Sequence, residues 1–339
     1  MKTKARKIAT YTIIGFLVVA AGVSVWLSTV FKGSVLDKDA ADLLAKTEDE
    51  KVVSFYRDVC IALRPAVEDA ADIMLTAAEN SVGVDDPAPV FVKANQQIKD
   101  NWVNAERNLP TTAPRDVFTP KERKPVDYQP SLDALRGAVH TVALEYPDTN
   151  DFDGMNEAIE GSSKKISKAV ESLGSNAPIA SQGTLEAIKR NGECAFLFEG
   201  DDSVHDDVVA LHTAFAKARS VYGEGIKVYD DSTSITDETM RGKTVEYLAK
   251  TEEAVKVMSS VKDKQAAGDM VKAYTAARDA ARDVLAQIDA QGITQESLNG
   301  WAGSIVDVNN DVQRAQIRFM KNNQVPNKPT QDAINRAVK

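Results

Sequence analysis

The chain has 339 residues, of which 43% are hydrophobic, 27% charged and only 6% aromatic, with a formal net charge of −9. That balance excludes a disordered polar polymer, which lacks apolar residues to bury, and a nucleic-acid binder, which needs a basic surface. Few aromatics and many alanines at helix-like spacings point to slim, closely packed helices rather than a β core.

Residues 1–7 carry Lys2, Lys4, Arg6 and Lys7 and no acid, and 8–31 then run for 24 residues without a charge. Such a run spans the roughly 30 Å hydrocarbon layer of a bilayer with some tilt. A secretory signal has a shorter apolar core, about 7–15 residues, closed by a small-residue cleavage site. Ala20-Ala21-Gly22 resembles such a site, but the apolar run continues past it through Val25, Trp26 and Leu27. An uncleaved anchor is therefore the preferred reading over a cleaved signal. The basic flank keeps the N-terminus in the cytoplasm. The expectation is a single-pass plasma-membrane protein with the bulk of its chain extracytoplasmic. Five of the 41 basic residues and none of the 50 acidic ones lie at or before Lys32, so the remainder carries a formal charge of −14. A surface that acidic repels nucleic acid and anionic headgroups. No Asn-x-Ser or Asn-x-Thr acceptor occurs, which leans towards a bacterial envelope.

Beyond the anchor, 33–109 reads as the first helical segment. Val52, Tyr56, Val59, Leu63, Val67, Ala70, Met74 and Ala77 advance by three or four, placing them on one helix face. Pro65 lies within that pattern and predicts a kink or short break. Phe91, Ala94, Ile98, Trp102, Ala105 and Leu109 mark a second helix. Residues 110–130, with five prolines, read as a linker. The rest of the N-terminal bundle, 131–200, holds a stripe of Leu132, Leu135, Val139 and Val142, then another from Phe152 to Leu173. A looser region follows, with a short helix near Leu185 to Arg190.

The C-terminal bundle, 201–325, opens with Val204, Val208, Leu211, Phe215, Ala218 and Tyr222 and continues through Met240, Tyr247, Leu248, Ala254, Val255, Met258 and Val261. Its last two stripes are the most regular. Ala267, Met270, Tyr274, Ala277, Ala281, Val284 and Ile288 form one, and Leu298, Trp301, Ile305, Val308, Val312, Ala315 and Phe319 the other. Gly292 ends the first of these helices and Thr294 caps the second. Residues 326–339 read as a flexible tail. The fold class is all-α: an N-terminal transmembrane helix followed by one elongated or two antiparallel helical bundles.

Candidate sites are sparse. Cys60 and Cys194, the two cysteines, both lie in the exported part, where a disulfide is the default and two buried thiols the alternative. The stretch DTNDFDGMNEAIE places Asp151, Asp153, Gly154 and Glu160 at positions 3, 5, 6 and 12 of an EF-hand loop begun at Thr149. Thr149 and Asn156 depart from that pattern, and the competing reading is a helix start capped by Asp151 or Asp153. His205 and His212 stand about two helical turns apart, too far to share an ion without other ligands. HExxH, GxSxG, Walker and CxxC motifs are absent, and Ser162-Ser-Lys-Lys165 matches S-x-x-K without its partner motifs. Lys121, Arg123 and Lys124 in the linker form a local basic patch, a candidate contact for an acidic partner or an anionic envelope polymer. No catalysis is expected, and no cofactor apart from the calcium reading. The functional expectation is an accessory or scaffold subunit contacting membrane or cell-envelope proteins. A ligand-binding or sensory module is the alternative.

Overall fold

The computed structural model describes residues 50–115, 117–118, 125–175, 203–230, 236–326 and 328–338. Within these the protein is all-α. The anchor (8–31), Cys194, the short helix near Leu185 and the basic cluster Lys121, Arg123 and Lys124 lie outside the described residues. No helix among the described residues is long and apolar enough to cross a membrane.

The first half comprises α1 (Glu50–Val67), α2 (Asp69–Ser81), α3 (Ala88–Asn108), α4 (Gln129–Glu145) and α5 (Phe152–Ser175). The eight positions of the first stripe are all buried, but they belong to two helices. The chain breaks at Glu68, three residues after Pro65, whose ring clashes with the preceding turn. The Asn101 side chain donates to the Pro65 carbonyl at 2.8 Å, so α3 holds the break in place. α3 packs on α1, α2 and α4, and α5 on α4 and α2. The linker is not wholly irregular. Two-residue strands β1 (Val117–Phe118) and β2 (Pro125–Val126) pair antiparallel, Val117 opposite Val126. A pair this short gives no alternating pattern for a sequence to reveal.

The second half comprises α6 (Asp206–Lys227), α7 (Asp237–Ser259), α8 (Lys264–Gln291), α9 (Gln295–Asn322) and α10 (Lys328–Val338). α7 lies against both α6 and α8, α8 against α9, and α10 returns to α6. The expected flexible tail is thus corrected: most of it is a helix, with Thr330 and Ile334 buried and Thr330 Oγ1 accepting from the His205 backbone N–H at 3.0 Å.

The halves meet where α2 lies against α9. Arg318 pairs with Glu79 at 3.1 Å, Lys321 with Asp72 at 3.2 Å, and Arg314 Nη2 donates to the Val82 carbonyl at 3.0 Å. One apolar core runs from Val52 through to Met320 and so includes both halves. A smaller cluster of Val284, Ile288 and Trp301 sits apart from it at the α8–α9 turn.

Candidate functional site

The stretch that raised the metal question folds as the turn between α4 and α5. Tyr146 leaves α4 in extended conformation and Pro147 stops that helix from continuing. Asp151 then starts α5, its Oδ1 accepting the Gly154 backbone N–H at 2.7 Å. This is a side-chain cap, in which a carboxylate satisfies one of the orphan donors of a first turn. The turn is fastened to α3 as well. Asn95 Nδ2 donates to the Pro147 carbonyl at 3.0 Å, and Lys99 pairs with Asp148 at 2.7 Å. Phe152, fully buried, meets Phe91 edge-on with ring centres 6.4 Å apart.

The EF-hand expectation is corrected by this geometry. Residues 152–160 are continuous helix, so the twelve-residue calcium loop is not formed. Asp151 is committed to its cap, and Glu160 pairs with Lys164 at 3.2 Å along α5. Asp151, Asp153 and Glu160 are not brought together, and no group of three or more His, Cys, Asp or Glu side chains suited to a metal occurs among the described residues.

What the turn builds instead is a cleft of about 370 Å³ between the C-terminal end of α4 and the first turns of α5. Glu145, Tyr146, Thr149, Glu157, Ser162 and Lys165 are among its lining residues. Its rim carries an ion pair, Lys165 Nζ to Glu145 Oε2 at 2.6 Å. Four buried polar atoms around the turn lack a hydrogen-bond partner: Asn95 Oδ1, the Tyr146 hydroxyl, Thr149 Oγ1 and Asn156 Oδ1. Buried polar groups are nearly always paired, so this concentration marks the turn as unusually polar for its packing. Burial pushes the Tyr146 phenol well above its usual range, so it stays a neutral donor.

Acyl-transfer chemistry has no support in this cleft. Ser162 Oγ donates to the Ala158 carbonyl at 2.7 Å, and Lys165 is held by Glu145. Neither group activates the other, although Ser162 and Lys165 line the same space.

The histidines are also apart in role. His212 Nε2 donates to the Asn323 carbonyl at 2.6 Å and its ring meets Phe319 edge-on at 5.6 Å. Its environment is a packed core, and burial lowers its pKa from the ordinary value. His140 meets Glu106 at 2.6 Å on the exposed face between α3 and α4. Cys60 is buried in α1, and no cysteine is free among the described residues. Its bond to Cys194, which lies outside them, remains a proposal. Tyr146 is marked by no motif, and Thr149 and Lys165 figure in the sequence only as the first position of the EF-hand loop and the lysine of an S-x-x-K string. The signal available was Glu145-Tyr146-Pro147, a helix stop that carries a large polar aromatic into the turn.

No family model, curated protein or solved structure matches the chain.

Proposed function

We propose that the protein is an extracytoplasmic helical module tethered to the plasma membrane, acting by contact as an accessory or scaffold subunit of a cell-envelope complex. The observation that carries this reading is the uncharged run 8–31 behind a basic tip, followed by a strongly acidic remainder. Confinement at a membrane raises the effective concentration of neighbouring partners, so modest interfaces suffice. The joint between α2 and α9 supports the same reading, because its ion pairs orient two helical halves that one apolar core holds together, as a spacer or scaffold requires. Lys121, Arg123 and Lys124 supply a local basic cluster for an acidic partner. The Cys60–Cys194 bond would close a loop longer than 100 residues, contributing about 4–5 kcal/mol by chain entropy.

Crosslinking in intact membranes, followed by mass spectrometry, tests the proposal. Recovery of the same membrane or envelope protein at constant stoichiometry is expected. Protection of the acidic region from protease added outside whole cells would remove the proposal. Solute binding is the second reading, favoured by the cleft at Tyr146 and its unpaired polar atoms. A small molecule retained by the purified chain and lost on Tyr146→Ala would replace the scaffold reading with it.

A further inference from the structure

The cleft between α4 and α5 takes its shape from one face of α5. Gly154, Glu157, Gly161 and Lys165 recur there at helical spacing and all line the space, so that face forms a wall. At Gly161 a Cβ would meet nothing within 4 Å, which leaves this part of the wall open. At Gly154 a Cβ would stand 3.1 Å from the Cβ of Thr149, so the missing side chain lets the turn close down on the start of α5. The space between is about 370 Å³. That is on the order of a dozen water volumes, about as many as a hexose has non-hydrogen atoms.

The charge of the lining selects the sign of a ligand. Glu145, Glu157 and Lys165 are its charged residues, two carboxylates against one ammonium, a formal charge of −1. Lys165 is already bound to Glu145 at 2.6 Å. Glu157 makes no ion pair or hydrogen bond with any described residue. The end of α4 that meets the cleft has no basic residue in its last turn, so the negative pole of that helix adds to the same sign. Such a lining repels an anion and attracts a monocation, which Glu157 balances.

Hydrogen bonding selects the rest. Tyr146, 4% exposed, and Thr149 both line the cleft, and each has a buried hydroxyl oxygen without a partner. A buried hydroxyl left unpaired is costly, and a ligand oxygen that pairs with it removes the penalty. That oxygen is uncharged, because a carboxylate or phosphate would be set against a lining that is already negative. A ligand hydroxyl fits, since it accepts from one of these groups and donates to the other.

We infer that this cleft binds an amino sugar, a hydroxylated primary ammonium of monosaccharide size. Its ammonium stands at Glu157 and its ring hydroxyls stand against Tyr146 and Thr149. The inference rests on the solute-binding reading of the cleft, whose ligand class it names, and is independent of the anchor.

The test uses the full chain purified in a detergent without sugar or amine headgroups, at about pH 6, below the ordinary range of an amine. Glucosamine, glucose and N-acetylglucosamine are titrated separately at fixed ionic strength while the unfolding temperature is followed. Glucosamine should raise it saturably, at a concentration about five- to tenfold lower than the two neutral sugars, since a charged donor makes the stronger hydrogen bond. Tyr146→Phe keeps the ring and should weaken all three sugars about three- to tenfold. Glu157→Gln should erase the preference for glucosamine. Gly161→Leu points into open space, in a helix that glycine disfavours, and should stay folded while every sugar effect disappears. A glucosamine effect that is absent, that survives Gly161→Leu, or that is unchanged in both Tyr146→Phe and Glu157→Gln overturns the inference. Equal effects of glucosamine and glucose, both lost in Gly161→Leu, overturn the amino-sugar class and leave solute binding standing. Where no sugar acts, native mass spectrometry separates the two readings. A bound mass present in the wild type and missing from Gly161→Leu keeps solute binding and removes the amino sugar, whereas no bound mass removes both. If Gly161→Leu does not fold, Glu157→Gln decides, and an unchanged preference for glucosamine then defeats the proposal.

Discussion

His212, bonded to the Asn323 carbonyl, shows what a single sequence conceals at the level of one residue. Of the stripe that opens the second half, Leu211, Phe215, Ala218 and Tyr222 are buried, whereas Val204 is exposed and Val208 half-buried. What brings the His212 ring to the Asn323 carbonyl is the register of two helices far apart in the chain, set by packing rather than by local pattern. His212 carries a prediction at this scale. Burial holds its folded-state pKa below the ordinary 6.5, and the bond to the Asn323 carbonyl opposes that only in part. Between the depressed folded value and about 6.5 the unfolded chain therefore binds the extra proton. The stability from a neutral buried His212 is complete above about 6.5 and is lost as pH falls through the folded value. Thermal unfolding followed from pH 8 to 5 should show this decline. In His212→Gln, which keeps an N–H for Asn323 and does not titrate, the profile should flatten. An identical slope in both proteins would mean that another group governs the decline.

Whole helices were read well where the stripe was apolar throughout. Every position of the Ala267 to Ile288 stripe in α8 is buried. α7 is the contrasting case, since its buried face includes Thr244 and Thr251, which interrupt the apolar pattern. Both satisfy themselves within the helix, donating to the carbonyls of Met240 at 2.9 Å and Tyr247 at 2.7 Å. α10 escaped notice because its buried face holds mostly polar side chains, Thr330 and Gln331 beside Ile334, a stripe too short and polar to stand out. The turn between α8 and α9 was the most legible of all. Gly292 has φ 70°, a conformation that a side chain rarely tolerates. Thr294 and Ser297 then exchange the two hydrogen bonds of a capping box, at 3.1 and 2.8 Å. Thr294→Ala removes an acceptor for the first turn of α9 and should cost about 1 kcal/mol. Chemical denaturation checks this through a lowered midpoint with unchanged slope. A shift indistinguishable from zero would mean that water caps this turn equally well.

Across the whole molecule, cooperativity follows from how the apolar core is distributed. The α2–α9 joint carries ion pairs that are partly exposed, each worth at most about 1 kcal/mol. They orient the halves more than they hold them, and the continuous core from Val52 to Met320 does the holding. That core makes the two halves unfold together. The far end of α8 and the start of α9 belong to a separate small cluster, Val284, Ile288 and Trp301. Trp301 is buried there, its Nε1 donating to Gln287 Oε1 at 2.7 Å, while Trp102 lies within the main core. A satellite cluster of this size can open without breaking the main core, at a free energy below the global value. Single-tryptophan variants make the difference measurable, with Trp26 and either Trp102 or Trp301 replaced by Phe. The Trp301 reporter should lose its buried fluorescence at lower denaturant and with a shallower slope than the Trp102 reporter, because less surface is exposed in that step. Coincident transitions would show that the α8–α9 turn unfolds only with the rest, and that the apolar gap between the two clusters is energetically closed.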